Sequence, residues 1–232
     1  FSGFDERAVD NIGPYLTPGP NIIVSRSSED LAGKARMLRG NMPTDGGNFI
    51  MSNEDAIRFV KSGTVPDRFV RPLVGSAEVI DGQRRACLWI EPQTAEEALS
   101  VPFIQERVRL VDEARKNSSA PTTRNTKVPP YRFMQVEGTA QRYSIAVPAV
   151  SSEKRLYLPA DLLDGKTILT NRCYALYDAP LYCLSLVVSV IHRVWIGTIC
   201  GSLEMRFSYS NTLGWNTFPI SPMTEQNKAD LT

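Results

Sequence analysis

The longest apolar stretch, Pro180 to Cys200, must be enclosed by something, and what encloses it decides the kind of fold. Its unbroken apolar part ends near Ile191, where His192 and Arg193 interrupt it. A membrane-spanning helix needs about 20 predominantly apolar residues. The run therefore reads as a helix starting near Ala179 and buried in a globular core, with no membrane partner. A chain of 232 residues with 42% apolar and 22% charged content can supply such a core. Cys87, Cys173, Cys183 and Cys200 form no C-x-x-C pair, and most of them lie in apolar runs, as small buried hydrophobes do. That pattern predicts a reducing, cytoplasmic setting. His192 is the only histidine, so a structural zinc site is excluded and no metal is expected. In an apolar helix it reads as a packed core residue. The chain opens at Phe1-Ser2-Gly3 without an initiator methionine or a signal-peptide pattern, which predicts a piece of something longer.

Local patterns alternate between helix and strand. Asn21–Val24 predicts a short strand, and Ser27 or Ser28 a helix cap running to about Leu38, stopped by Gly40. Gly40 to Asn48 is a cluster of turn residues. Asn53-Glu54-Asp55 opens a helix that ends at Gly63. Cys87–Ile90 reads as a buried strand. Thr94-x-x-Glu97 is a capping-box pattern opening a helical region that Pro102 divides and that continues towards Lys116. Asn117 to Pro130 predicts an exposed loop near the cations Arg124, Lys127 and Arg132. Tyr143–Val147, Thr167–Leu169, Cys173–Tyr177 and Leu203–Tyr209 predict strands. This mixed order gives an α+β class, with one domain over 1–220 and a small tail over 221–232.

The net charge is +1, but its distribution is uneven. Val101 to Tyr157 carries ten Lys/Arg against five Asp/Glu, whereas Phe1 to Val60 carries six against eight. One cationic face on a near-neutral chain suits a phosphate backbone, and equally a solvated surface. Within Gly201–Ser210, Leu203, Met205, Phe207 and Tyr209 alternate with Glu204, Arg206, Ser208 and Ser210. At period two the second set shares one exposed face, with Glu204 and Arg206 about 7 Å apart. In the DNA major groove a carboxylate accepts from cytosine N4, and a guanidinium donates twice to guanine. The pair could read one C·G base pair, or simply form a surface ion pair.

Several blocks in order carry a resemblance. They are Gly13-Pro14-Tyr15-Leu16, Gly19-Pro20-Asn21, Gly40-Asn41-Met42-Pro43-x-Asp45-Gly46-Gly47, and Gly75-Ser76-x-Glu78-x-Ile80-x-Gly82 with Cys87-Leu88-Trp89-Ile90. Val150-Ser151-Ser152-Glu153-x-Arg155-x-Tyr157-x-Pro159, His192-x-x-Trp195, Gly201-x-Leu203, Tyr209-Ser210, Asn216 and Phe218-Pro219 complete the set. Together they resemble the target-recognition domain of the MmeI-like family of bacterial restriction-modification methyltransferases. The resemblance implies double-stranded DNA as partner, with Glu204, Arg206 and Ser208 at base-reading positions and a further base contact near Asn171-Arg172. Members often carry arginine where this chain has Ser202 and Ser208. It also implies a methyltransferase domain in the same polypeptide, which would use S-adenosylmethionine to methylate an adenine amino group; this chain itself would hold no cofactor and no catalytic residue. Ser151, Ser152, Lys154 and Arg155 offer hydroxyls and cations for phosphate, as do Arg84 and Arg85 after the Asp81-Gly82 turn.

Two motifs imitate catalysis. Asp45-Gly46-Gly47-Asn48-Phe49 resembles a cofactor-binding glycine turn but follows a helix and a Met-Pro turn, and Val128-Pro129-Pro130-Tyr131 has valine where an Asn-Pro-Pro-Tyr motif needs its amide. A metal-dependent nuclease would have to use Asp161 and Asp164-Gly165-Lys166, and Asp-Gly is first a turn. A protein–protein interaction module is the remaining alternative.

Overall fold

The computed structural model describes residues 8–203 and 206–232, and its architecture is α+β. In chain order the elements are β1 (Leu38–Arg39), β2 (Ile50–Ser52), α1 (Asn53–Lys61), β3 (Val70–Val74), α2 (Ser76–Asp81), β4 (Arg85–Leu88), α3 (Ala95–Leu99), α4 (Pro102–Lys116) and α5 (Pro121–Arg124). There follow β5 (Tyr143–Pro148), β6 (Val150–Ser152), β7 (Asp161–Asp164), β8 (Ile168–Leu169), β9 (Cys173–Tyr177), α6 (Tyr182–Val188), α7 (Val190–Ile199), β10 (Ser202–Leu203), β11 (Arg206–Ser208) and α8 (Glu225–Asp230).

Three sheets result, ordered β2-β4-β3-β8, β1-β9-β5-β7 and β10-β11-β6. The first packs Leu73, Leu88 and Ile168, with Phe49 just before β2, against Ile104, Val108 and Val111 of α4. Those three recur at i, i+4 and i+7, one stripe of a helix. Arg115 continues the stripe at 3% exposure. Its guanidinium donates to the carbonyls of Pro43, Thr44, Pro129 and Arg132, so the helix pins the Met42–Thr44 turn to the 129–132 segment. The second sheet buries Ile145, Val147 and Leu176 beneath Cys183, Val187, Ile196 and Trp215.

Several expected elements differ. Residues 21–24 form no strand, and 27–38 no helix. Instead, the Ser27 and Leu31 amides donate to the Thr212 and Asn216 carbonyls, and the Asp30 carboxylate takes the Ala32 and Lys34 amides. The backbone there is committed to a distant segment rather than to itself. At the 94–97 box the Thr94 hydroxyl donates to the Glu91 carbonyl and Glu97 pairs with Arg68; the helices follow without it. The polar loop 117–130 contains the short α5. The long helix from Ala179 is two, bent by 56° at Ser189, whose hydroxyl accepts from the His192 amide and starts α7 afresh. Among the described residues no single helix is long and apolar enough to cross a membrane.

Candidate nucleic-acid interface

The alternation over 203–209 predicts one strand; the structure makes a hairpin. Leu203 pairs with Arg206 and Ser202 with Phe207, antiparallel. On its other side β11 pairs with β6, in the register Arg206 to Ser152, Phe207 to Ser151 and Ser208 to Val150. Within β11 the expected alternation holds: Arg206 and Ser208 are exposed, Phe207 is half-buried and Tyr209 is buried. Glu204 lies outside the described residues, as does Met205.

Residues paired across strands share a face of the sheet. Arg206, Ser208, Ser152 and Val150 therefore lie together on the outward face. Ser151 and Phe207 lie on the inward one. This corrects the expectation for Ser151: at 5% exposure its hydroxyl is inside the molecule and does not present itself to a phosphate. The Ser152 hydroxyl accepts from the Lys154 amide at 3.3 Å, shaping the turn that leaves Lys154 and Arg155 exposed.

That turn is tied to the hairpin by a residue the sequence did not single out. Arg193 on α7 donates to the carbonyls of Arg155 and Glu153, each at 2.7 Å. Its guanidinium lies 5.5 Å from the Phe207 ring centroid. The only sequence signal was a cation interrupting an apolar run. The expectation of a buried run holds for one face only: Cys183, Val187, Ile196 and Ile199 are buried, whereas Val190, Ile191 and Val194 are exposed. His192 is on the buried face, fully buried, its Nδ1 3.0 Å from the Val187 carbonyl and its Nε2 3.3 Å from the Tyr209 hydroxyl. Burial lowers its pKa to about 4, so the ring is neutral near pH 7.

At the other end of β11 the Tyr209 amide donates to the Ala149 carbonyl, and the Ala149 amide to the Arg172 carbonyl. The Ser76 hydroxyl also donates to that carbonyl, fixing the backbone of the exposed Arg172 beside Ser208. Arg39 braces the same turn from β1, donating to the Asn171 carbonyl at 3.0 Å with its guanidinium 5.8 Å from the Tyr174 ring centroid. It too was missed, because a helix was expected up to about Leu38 and the strand that carries Arg39 was not. Cations thus bracket a strand segment about 7 Å long, Arg39 and Arg172 at one end and Lys154 and Arg155 at the other.

Arg84 and Arg85 are not gathered here. They line a separate cleft with Asp161 and Asp164. Arg84 is exposed, but the Arg85 Nε donates to the Glu78 carboxylate at 2.6 Å. Burial alone would raise the Glu78 carboxyl; hydrogen bonds from Arg85 and from the Gly75 amide outweigh it and hold the pKa below the ordinary value. Asp164 accepts from the Lys166 and Thr167 amides and the Thr167 hydroxyl, as a turn residue does. Among the described residues no three His, Cys, Asp or Glu side chains are grouped to hold a metal. The Asp45 carboxylate is buried on the Phe49 amide, and Gly46 and Gly47 take positive φ, so that glycine motif is a structural turn.

This geometry has relatives. The family model of the MmeI target recognition domain matches residues 18–222. A DNA methyltransferase A from Bacillus subtilis (strain 168) is 34% identical over 226 residues, covering 97% of this chain. The solved structure of a type IIL restriction-modification enzyme, MmeI, in complex with DNA superposes with a TM-score of 0.86 at 32% identity, over 96% of this chain. The chain spans only 26% and 30% of the length of these two proteins. By the extent of the family match, the chain belongs to the MmeI target recognition domain family.

Proposed function

We propose that this chain recognises a specific sequence in double-stranded DNA for a restriction-modification enzyme that methylates adenine N6. One observation carries the reading: an exposed Arg206–Ser208 face bracketed by cations, on a fold shared with a protein solved on DNA. The major groove is about 12 Å wide and admits a two-stranded β-ribbon. The β10–β11 hairpin is the edge of a three-stranded sheet completed by β6, so in this reading it is the outward face of that sheet, rather than a lone ribbon, that meets the groove. Arg206, Ser208, Arg172 and Glu204 are the proposed base readers. Ser152, Lys154, Arg155 and Arg39 contact phosphate, with Arg84 an outlying contact and Arg85 held in the fold.

We assign no residue here a catalytic role. The Asp45–Phe49 turn does not fit S-adenosylmethionine: Asp45 is committed to the Phe49 amide, and Gly46 packs so closely on α4 that a Cβ there would meet Ala114 at 2.8 Å. The cofactor belongs to a methyltransferase domain elsewhere in the same polypeptide, and this domain holds the duplex in register while the target adenine leaves the stack. The reading takes 1–220 as the recognition domain and 221–232 as a following segment. A cytoplasmic setting agrees with four free, buried thiols.

The test is duplex binding as a function of salt. The four cations among these contacts, Lys154, Arg155, Arg39 and Arg84, predict a slope of log affinity against log salt of about −3 to −4. Binding that ignores salt would overturn the proposal.

A further inference from the structure

Leu156 is 76% exposed and Tyr157 57% exposed, side by side in the chain. A single exposed leucine is ordinary on a protein surface. This pair is different because the backbone around it is fixed. Arg193 grips the carbonyls of Glu153 and Arg155 on one side, and Leu158, 4% exposed, is anchored in the core on the other. Two apolar groups are thus presented on a braced turn directly after Lys154 and Arg155, and that turn leaves the strand whose Ser152 pairs with Arg206.

We infer that Leu156 and Tyr157 form a wedge that packs against the bases of one step beside the position read by Arg206 and parts that step. Apolar side chains next to phosphate-binding cations serve this purpose in DNA-bending proteins, where unstacking is offset by added contact. The two adjacent cations favour a polyanion over an apolar protein surface as the occupant. Arg193 is then the positioning residue that couples wedge and reading strand, through the carbonyls it holds and the Phe207 ring it covers. The inference rests on the DNA-recognition reading above.

The experiment uses the full-length protein and a duplex holding the sequence it selects from a random library, with 2-aminopurine placed at successive positions. The expected result is a fluorescence rise at one step other than the methylated adenine. A Leu156→Ala/Tyr157→Ala double variant should lose that rise and bind about tenfold more weakly, whereas Tyr157→Phe keeps both. A rise that survives the double variant, or no such rise on a selected sequence, overturns the wedge and leaves recognition standing. Failure to select any sequence overturns recognition itself. If the double variant does not fold, the wild-type protein decides: a 5-iodouracil crosslink from that step should land on Tyr157, and crosslinks only elsewhere overturn the proposal. Protection of both side chains from hydroxyl radicals without DNA would assign them to a contact within the polypeptide, which also overturns it.

Discussion

Burying the Glu78 carboxylate to 7% exposure would be costly if nothing met its charge. The Arg85 guanidinium and the Gly75 amide meet it, at 2.6 and 2.7 Å. Arg85→Ala should therefore destabilise the fold by about 2 kcal/mol, less than a fully buried pair because the Arg85 side chain is 40% exposed. Arg84→Ala should change stability by less than about 0.5 kcal/mol. Urea midpoints of the two variants check this, and equal values would return Arg85 to the surface. His192 gives a second prediction. Its folded pKa of about 4 lies below the ordinary 6.5, so between those values the unfolded chain binds more protons. The neutral ring's contribution is complete above pH 6.5 and is lost as pH falls towards 4. From pH 7 to 5 the wild type should lose about 2 kcal/mol that His192→Phe does not lose. Parallel urea melts at both pH values test it, and identical slopes would show that His192 is not held neutral.

Elements were legible where their own residues settle them. Cys173–Tyr177 carries its identity in five consecutive buried or half-buried side chains, and the strand is found at those bounds. The helix expected from Asn53-Glu54-Asp55 forms there and is closed by Gly63 at φ +71°, with the cap itself supplied by Ser52, whose hydroxyl takes the Asp55 amide. What failed is what long-range partners decide. Residues 27–38 carry a helical pattern, yet Ser27 and Leu31 spend their amides on residues 212 and 216, and Lys34 is buried with its ammonium on the Phe218 carbonyl. No local pattern reports a bond across 184 residues. The break at Ser189 hides for another reason: a serine inside an apolar run looks tolerable until its hydroxyl captures an amide and restarts the helix. The reading segment falls between these cases. Its alternation gave the correct faces for Arg206, Phe207, Ser208 and Tyr209, but a period of two cannot reveal where a chain folds back on itself. Nor could it reveal that β6, about fifty residues earlier, lies alongside. That pairing places Ser152, proposed at a phosphate, next to Arg206, proposed at a base, two roles the sequence had suggested separately.

Across the whole molecule, base and phosphate contacts should separate in a way that neither stability nor affinity alone reveals. Groups on the outward face of β11 would meet base edges, and the bracketing cations would meet a backbone that is the same for every sequence. In the full-length protein, Arg206→Ala should therefore relax the selected sequence at one base pair. It should cost about 1–3 kcal/mol on the preferred duplex and little on a random one. Lys154→Ala and Arg155→Ala should instead weaken all duplexes alike and each reduce the salt slope by about 1. Arg193→Ala is expected to behave differently from both. It removes no charge from the surface that meets the duplex, yet it frees the 153–155 turn and uncovers Phe207, so both the salt slope and the selectivity should fall together. Selection of binding sequences at two salt concentrations measures all three effects at once. If Arg206→Ala weakened every duplex equally and left the selected sequence unchanged, the hairpin would be one more backbone contact, and the reading of sequence would have to reside elsewhere in the polypeptide.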